Sequence, residues 1–133
     1  MLKIEHIGIA VKNISDASKL FESLLNSPCY KTENVESEKV TTAFFRTGEN
    51  KIELLESSSP DSAIAKFIEA HGEGLHHIAF EVENISEEMK RLKEKGFQLL
   101  RDEPFRGADN KLVCFIHPKS CNGVLVELCQ EIK

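Results

Sequence analysis

Apolar and polar residues alternate with a period of two from Ile4 to Val11, placing Ile7, Ile9 and Val11 on one side of a predicted strand and His6, Gly8 and Ala10 on the other. The period then lengthens. Ala17, Leu20, Phe21, Leu24 and Leu25 recur at helical spacing behind Ser15 and Asp16, which predicts an amphipathic helix with Ser15 at its start. Three strands follow, around Tyr30–Val35, Val40–Phe45 and Lys51–Glu56. The order then begins again. A strand carries Ile78, Phe80 and Val82 on one face and His77, Ala79 and Glu81 on the other. Next comes a helix entered through Ser86-Glu87-Glu88-Met89 and stopped near Gly96. Strands around Gln98–Arg101, Leu112–Ile116 and Val124–Cys129 complete the second round. Each half reads βαβββ, and a polar loop over Ser57–Ser62 leads into a linker helix at about residues 61–71 that lies outside the pattern.

This recurrence is written in the residues as well as in their polarity. Glu5-His6-Ile7-Gly8-Ile9-Ala10-Val11-Lys12-Asn13-Ile14-Ser15 returns as His76-His77-Ile78-Ala79-Phe80-Glu81-Val82-Glu83-Asn84-Ile85-Ser86, an offset of 71 residues. Val40–Phe45 matches Lys111–Ile116 at the same offset, whereas Lys51–Glu56 matches Leu125–Gln130 at 74. The three added residues fall within His117–Gly123. A duplication of this kind predicts two similar units packed about a pseudo-twofold axis. The expected fold is α+β, with modules of about residues 1–58 and 74–133 in one domain spanning residues 1–133.

At 133 residues, a single core needs no disulfides. The formal net charge of −5 argues against a phosphate-tracking surface, so no nucleic-acid partner is expected. Cys29, Cys114, Cys121 and Cys129 form no CxxC pair, and neither a signal peptide nor a long apolar run is legible. Free thiols, a cytoplasmic location and no membrane partner are the matching expectations.

The repeat also carries the candidate chemistry. His6 and His77 sit on predicted faces lined with small residues, which leave room for a ligand, and Glu53 and Glu127 occupy equivalent points of the last strands. Two imidazoles and two carboxylates suit Co, Ni, Mn, Fe or Zn better than Ca or Mg, which favour all-oxygen shells. A single strand histidine is ordinarily a core or surface residue; its repetition together with a glutamate favours metal. Glu56 lies close to Glu53, and either could face solvent. His76 should point away from His77 into packing, His71 reads as a helix-end residue, and His117 is a candidate for lining the pocket. The run Glu87–Lys95 reads as a solvated helix face.

Taken together, these features resemble the vicinal oxygen chelate superfamily, whose fold is shared by glyoxalase I, extradiol dioxygenases and bleomycin resistance proteins. Within it the chain most closely resembles the methylmalonyl-CoA epimerases. The resemblance rests on His6–Val11, Ile52–Glu56, Ser62–Ile68, Gly72–Val82, and His117–Ser120 with Gly123–Leu128. It implies one glyoxalase-like domain, its mixed sheets curved around a metal site held by His6, Glu53, His77 and Glu127. The implied ion is of the cobalt type, with Ni, Mn or Zn as alternatives. The implied reaction is epimerisation of (R)- and (S)-methylmalonyl-CoA, with Glu127 and Glu53 as bases and a metal-stabilised enolate. Lys66, Arg106, Lys111 and Lys119 are candidates to meet the phosphates of the acyl-CoA, although each also reads as a surface cation, and a homodimer is expected from relatives. Some members carry a carboxylate on the strand that here reads Val40-Thr41-Thr42-Ala43. A glyoxalase I reaction on a hemithioacetal is the alternative enzyme, and a metal-free drug-binding protein the non-enzymatic one.

Overall fold

The computed structural model describes residues 1–133. Its elements are β1 (Lys3–Ala10), α1 (Ile14–Leu25), β2 (Lys31–Val35), β3 (Val40–Thr47), β4 (Asn50–Ser57), α2 (Ala63–His71), β5 (Gly74–Glu81), α3 (Ile85–Glu94), β6 (Phe105–Arg106), β7 (Lys111–Ile116) and β8 (Val126–Glu131), with a short 3₁₀ turn at Pro118–Cys121. The fold is α+β and contains the βαβββ order twice. Chain contacts divide it into two units, His6–His76 and a second formed by Met1–Glu5 with His77–Lys133. No helix is long and apolar enough to cross a membrane.

In the first unit the strands lie in the order β2-β3-β4-β1, antiparallel except for the parallel pair β1·β4. Register decides which side chains share a face, because paired residues point the same way. Gly8 pairs with Glu53 and Glu53 with Phe44, so His6, Gly8, Ala10, Glu53, Leu55, Thr42 and Phe44 occupy one face. The other face holds Ile9, Val11, Ala43, Phe45, Ile52 and Leu54, and it packs on Ile14, Ala17, Phe21 and Leu25 of α1. The alternation read along β1 is therefore the division between a site face and a helix-covered face.

The second unit repeats the arrangement as β5-β8-β7-β6, with β5·β8 parallel. His77, Ala79, Glu127, Cys129, Lys111, Val113 and Phe115 share one face by register. Behind the sheet, Val82, Cys114, Ile116 and Leu128 pack on Ile85, Met89 and Leu92 of α3. Met1–Glu5 joins this unit, the Leu2 amide donating to the Glu81 carbonyl at 2.8 Å.

Two expectations about local structure need correcting. The repeated helices α1 and α3 are capped not by serine but by asparagine: Asn13 Oδ1 accepts from the Asp16 amide at 3.0 Å and Asn84 Oδ1 from the Glu87 amide at 3.1 Å. An asparagine carbonyl reaches the third amide ahead, so each helix starts two residues before the serine-capped register. A second acceptor closes each helix start from the last strand of its own unit. Glu56 Oε1 accepts from Ile14 N and Gln130 Oε1 from Ile85 N, both at 2.7 Å. Asn13→Ala and Asn84→Ala should each cost about 1 kcal/mol, measured by urea unfolding.

The second correction concerns the strand expected at Gln98–Arg101. Only Leu99 bridges, to Ile116, and the edge strand forms later, at Phe105–Arg106. Leu99 packs on the α3 core while Leu100 stays exposed, and the polar run Arg101-Asp102-Glu103 with Pro104 interrupts pairing.

On the surface of the first unit Lys39 Nζ lies 2.5 Å from Asp61 Oδ2. The Lys39 ammonium, helped by the Ser59 hydroxyl, holds the Asp61 carboxyl down at about 2, against an ordinary 3.8. A depressed folded-state value stabilises the fold above the ordinary value and loses that contribution as pH falls through about 2. Lys39→Met should flatten the melting temperature against pH between these two values, a small effect for an exposed pair.

Candidate metal centre

Each unit carries one buried histidine–glutamate pair. In the first, His6 Nε2 lies 3.2 Å from Glu53 Oε1; in the second, His77 Nε2 lies 3.2 Å from Glu127 Oε1. All four side chains are buried, between 4% and 6% exposed. The positions follow from strand geometry. Each histidine comes from the first strand of its module and its glutamate from the parallel last strand, one pair of residues along on the same face. Gly8 and Ala79, which pair with Glu53 and Glu127 in register, are small and leave the space between imidazole and carboxylate unobstructed.

Burying carboxylates is costly unless their charge is met. An imidazole nitrogen and a carboxylate oxygen that converge in a buried place, as they do in each unit, are suited to donate to a borderline divalent ion. The residues present therefore fit a divalent metal. Burial pushes the Cys114 thiol up to about 11, and its side chain packs on the α3 side of the sheet, away from His77 and Glu127.

Of the other positions singled out, Glu56 is the α1 clamp described above. His76 and His71 both pack on Phe67, with ring centroids 4.9 Å away in each case. His117 caps the 3₁₀ turn, its Nδ1 accepting from the Lys119 amide at 3.0 Å. Among the candidate phosphate contacts, Lys66, Arg106 and Lys119 are exposed, whereas Lys111 is buried on the face of its sheet that carries Glu127.

Thr42 is fully buried and its hydroxyl donates to the Glu33 carbonyl. The nearest carboxylate along the chain is Glu38, in the turn before β3, which is half-buried with Oε1 shielded from solvent. Sequence reasoning passed over it because a turn glutamate ordinarily faces water. It also passed over Phe44 and Phe115, which pair in register with Glu53 and Glu127 and stand at the repeat offset. That repetition was the available signal.

A duplicated βαβββ fold with a histidine and a glutamate paired in each module defines a protein of the vicinal oxygen chelate class. Residues 5–115 match the model of the Glyoxalase/Bleomycin resistance protein/Dioxygenase superfamily. The chain is 44% identical over 130 residues to the Uncharacterized protein YqjC of Bacillus subtilis, covering 98% of this chain and 93% of that one. It is 38% identical over 130 residues to the Ethylmalonyl-CoA/methylmalonyl-CoA epimerase of Cereibacter sphaeroides, covering 96% and 97%. A solved structure of methylmalonyl-CoA epimerase in complex with methylmalonyl-CoA and NH4+ superposes with a TM-score of 0.95 at 33% identity, covering 98% of this chain and 95% of that one. The chain belongs to this superfamily and, within it, to the methylmalonyl-CoA epimerase family, whose members are isomerases.

Proposed function

We propose that this protein epimerises methylmalonyl-CoA at the carbon alpha to its thioester, using one divalent ion held jointly by His6, Glu53, His77 and Glu127. The observation that carries this reading is the repeated buried pair, imidazole nitrogen to carboxylate oxygen at 3.2 Å in each module. Similarity to epimerases over nearly the whole chain supports the substrate. When bound, the ion supplies Lewis-acid stabilisation of negative charge at the acyl oxygens, and cobalt is the proposed species.

The chain's own part is proton transfer. Glu127 removes the alpha proton from one face; the C–H bonding pair moves into the thioester as an enolate, and a carboxylic acid on the opposite face returns a proton to carbon. Two bases make the reaction symmetrical in its two directions. The second base is a carboxylate of the first unit. Glu53 qualifies by its repeat relation to Glu127, and Glu38 qualifies as a solvent-shielded carboxylate outside the His–Glu pairs. With the epimer whose alpha proton faces away from Glu127 as substrate, the glutamine variant, Glu53→Gln or Glu38→Gln, that loses exchange while retaining metal identifies the base.

Lys111 is proposed to take an anionic group of the acyl-CoA, and Lys66, Arg106, His117 and Lys119 to stand further out along the carrier. The free thiols Cys29, Cys114, Cys121 and Cys129 support a reducing compartment such as the cytoplasm. A homodimer is proposed from the family, and mass measurement at micromolar concentration checks it.

The deciding experiment is proton NMR of methylmalonyl-CoA in deuterated water with cobalt-loaded protein and a metal-stripped control. Loss of the alpha-proton signal with metal and its persistence without metal is the expected result. Persistence with fully loaded protein would overturn the reading and direct attention to hemithioacetal isomerisation.

A further inference from the structure

Beside His77 the structure holds a row of ring contacts that runs to the surface. The Phe115 ring meets the His77 imidazole edge to face, with centroids 5.9 Å apart and planes at 89°. Phe105 lies against Phe115 at 6.2 Å and 32°. Arg101 covers Phe105 in turn, its guanidinium carbon 3.8 Å from the ring centroid. The backbone fixes the same order: Phe115 pairs with Glu127 across β7·β8, and Phe105 pairs with Val113 across β6·β7. The ring that touches His77 thus stands on the residue directly opposite that histidine's carboxylate partner.

We infer that Phe115 is a positioning residue for the metal centre, holding the His77 ring so that Nε2 and Glu127 Oε1 converge on one point, with Phe105 and Arg101 as its outer support. This rests on the metal reading proposed above. The physical ground is rotational. A strand histidine is free to turn about its Cβ–Cγ bond, and a small rotation moves Nε2 off the ion. An aromatic edge seated perpendicular to the imidazole resists that turn through the attraction between a ring edge and a ring face. Hydrogen-bonding groups that orient a ligating histidine without touching the metal affect affinity about 10- to 100-fold when removed, and a ring contact acts at the lower end of that range. In the first unit the equivalent Phe44 is met by the Tyr30 ring at 6.3 Å and by Lys31 Nζ at 5.3 Å. The inference concerns the second unit.

The test uses the full chain, with cobalt alone as probe. Affinity is measured by titration, and the visible d–d absorption of the loaded protein is recorded. Phe115→Leu should weaken cobalt binding about tenfold and shift the d–d bands, while Phe115→Tyr, which keeps the ring, should restore both. Leu92→Ala, in the α3 core of the same unit, is the stability control and should leave the affinity and spectrum of its folded fraction unchanged. If Phe115→Leu does not fold, Phe105→Leu at the outer end should show a smaller change of the same sign. Wild-type affinity and spectrum in the leucine variant would overturn the inference and leave the metal site standing. Wild-type protein that takes up no cobalt would overturn both.

Discussion

Glu127→Ala should abolish metal-dependent exchange of the alpha proton from the methylmalonyl-CoA epimer whose proton faces Glu127, lowering its rate at least a thousandfold by proton NMR in deuterated water. General-base removal alone costs about 10²- to 10⁴-fold. The same substitution takes away a donor from the pair it forms with His77 at 3.2 Å, so weaker metal retention adds to the loss. Glu127→Gln separates the two contributions. An amide oxygen can still donate to a metal but cannot accept the proton, so a glutamine variant that keeps its cobalt and fails to exchange assigns the base. A glutamine variant with full activity would remove Glu127 from the chemistry.

The largest effect on stability is expected at Phe45. Its side chain is fully buried between the β3·β4 sheet and α1, with the Phe21 ring 6.4 Å away. Phe45→Ala should cost about 3–5 kcal/mol, because the fixed sheet on one side and the helix on the other limit how far the cavity can close. That is a large share of the 5–15 kcal/mol typical of a whole domain, so calorimetry should show a strongly lowered melting temperature. Phe45→Leu, which retains most of the volume, should recover more than half of the loss. An alanine variant within 1 kcal/mol of wild type would show that this core relaxes around the gap.

Why some of this was legible in the chain and some not follows from the range of the forces involved. Period-two alternation at Ile7, Ile9 and Val11 is set by one strand against one helix, and its repetition at Ile78, Phe80 and Val82 made two βαβββ modules readable. The His and Glu positions were readable for the same reason, since equal places in two copies are an internal control that a single copy lacks. The helix caps were misassigned because Asn13 and Ser15, like Asn84 and Ser86, are both competent caps. The choice is made by Glu56 and Gln130, which arrive from 42 and 45 residues away. The edge strand was misplaced because Leu99 and Leu100 look like a strand locally, whereas only the pairing of Phe105 with Val113 settles where β6 forms. Glu38 and the ring contacts at His77 depend on side chains meeting across elements, information that no single segment contains.

The assignment of Met1–Glu5 to the second unit changes what counts as a module. The repeat seen in the residues begins near position 5 and again near position 76, yet the second unit draws its Leu2–Glu81 bond from the opening residues of the chain. A fragment excised at the boundaries of the duplication would therefore leave its strand β5 without that partner. Gene duplication and physical autonomy part company here: a stretch that could be copied as a unit need not be one that can be removed as a unit, and a viable split of this protein would have to carry its first five residues along with its last half.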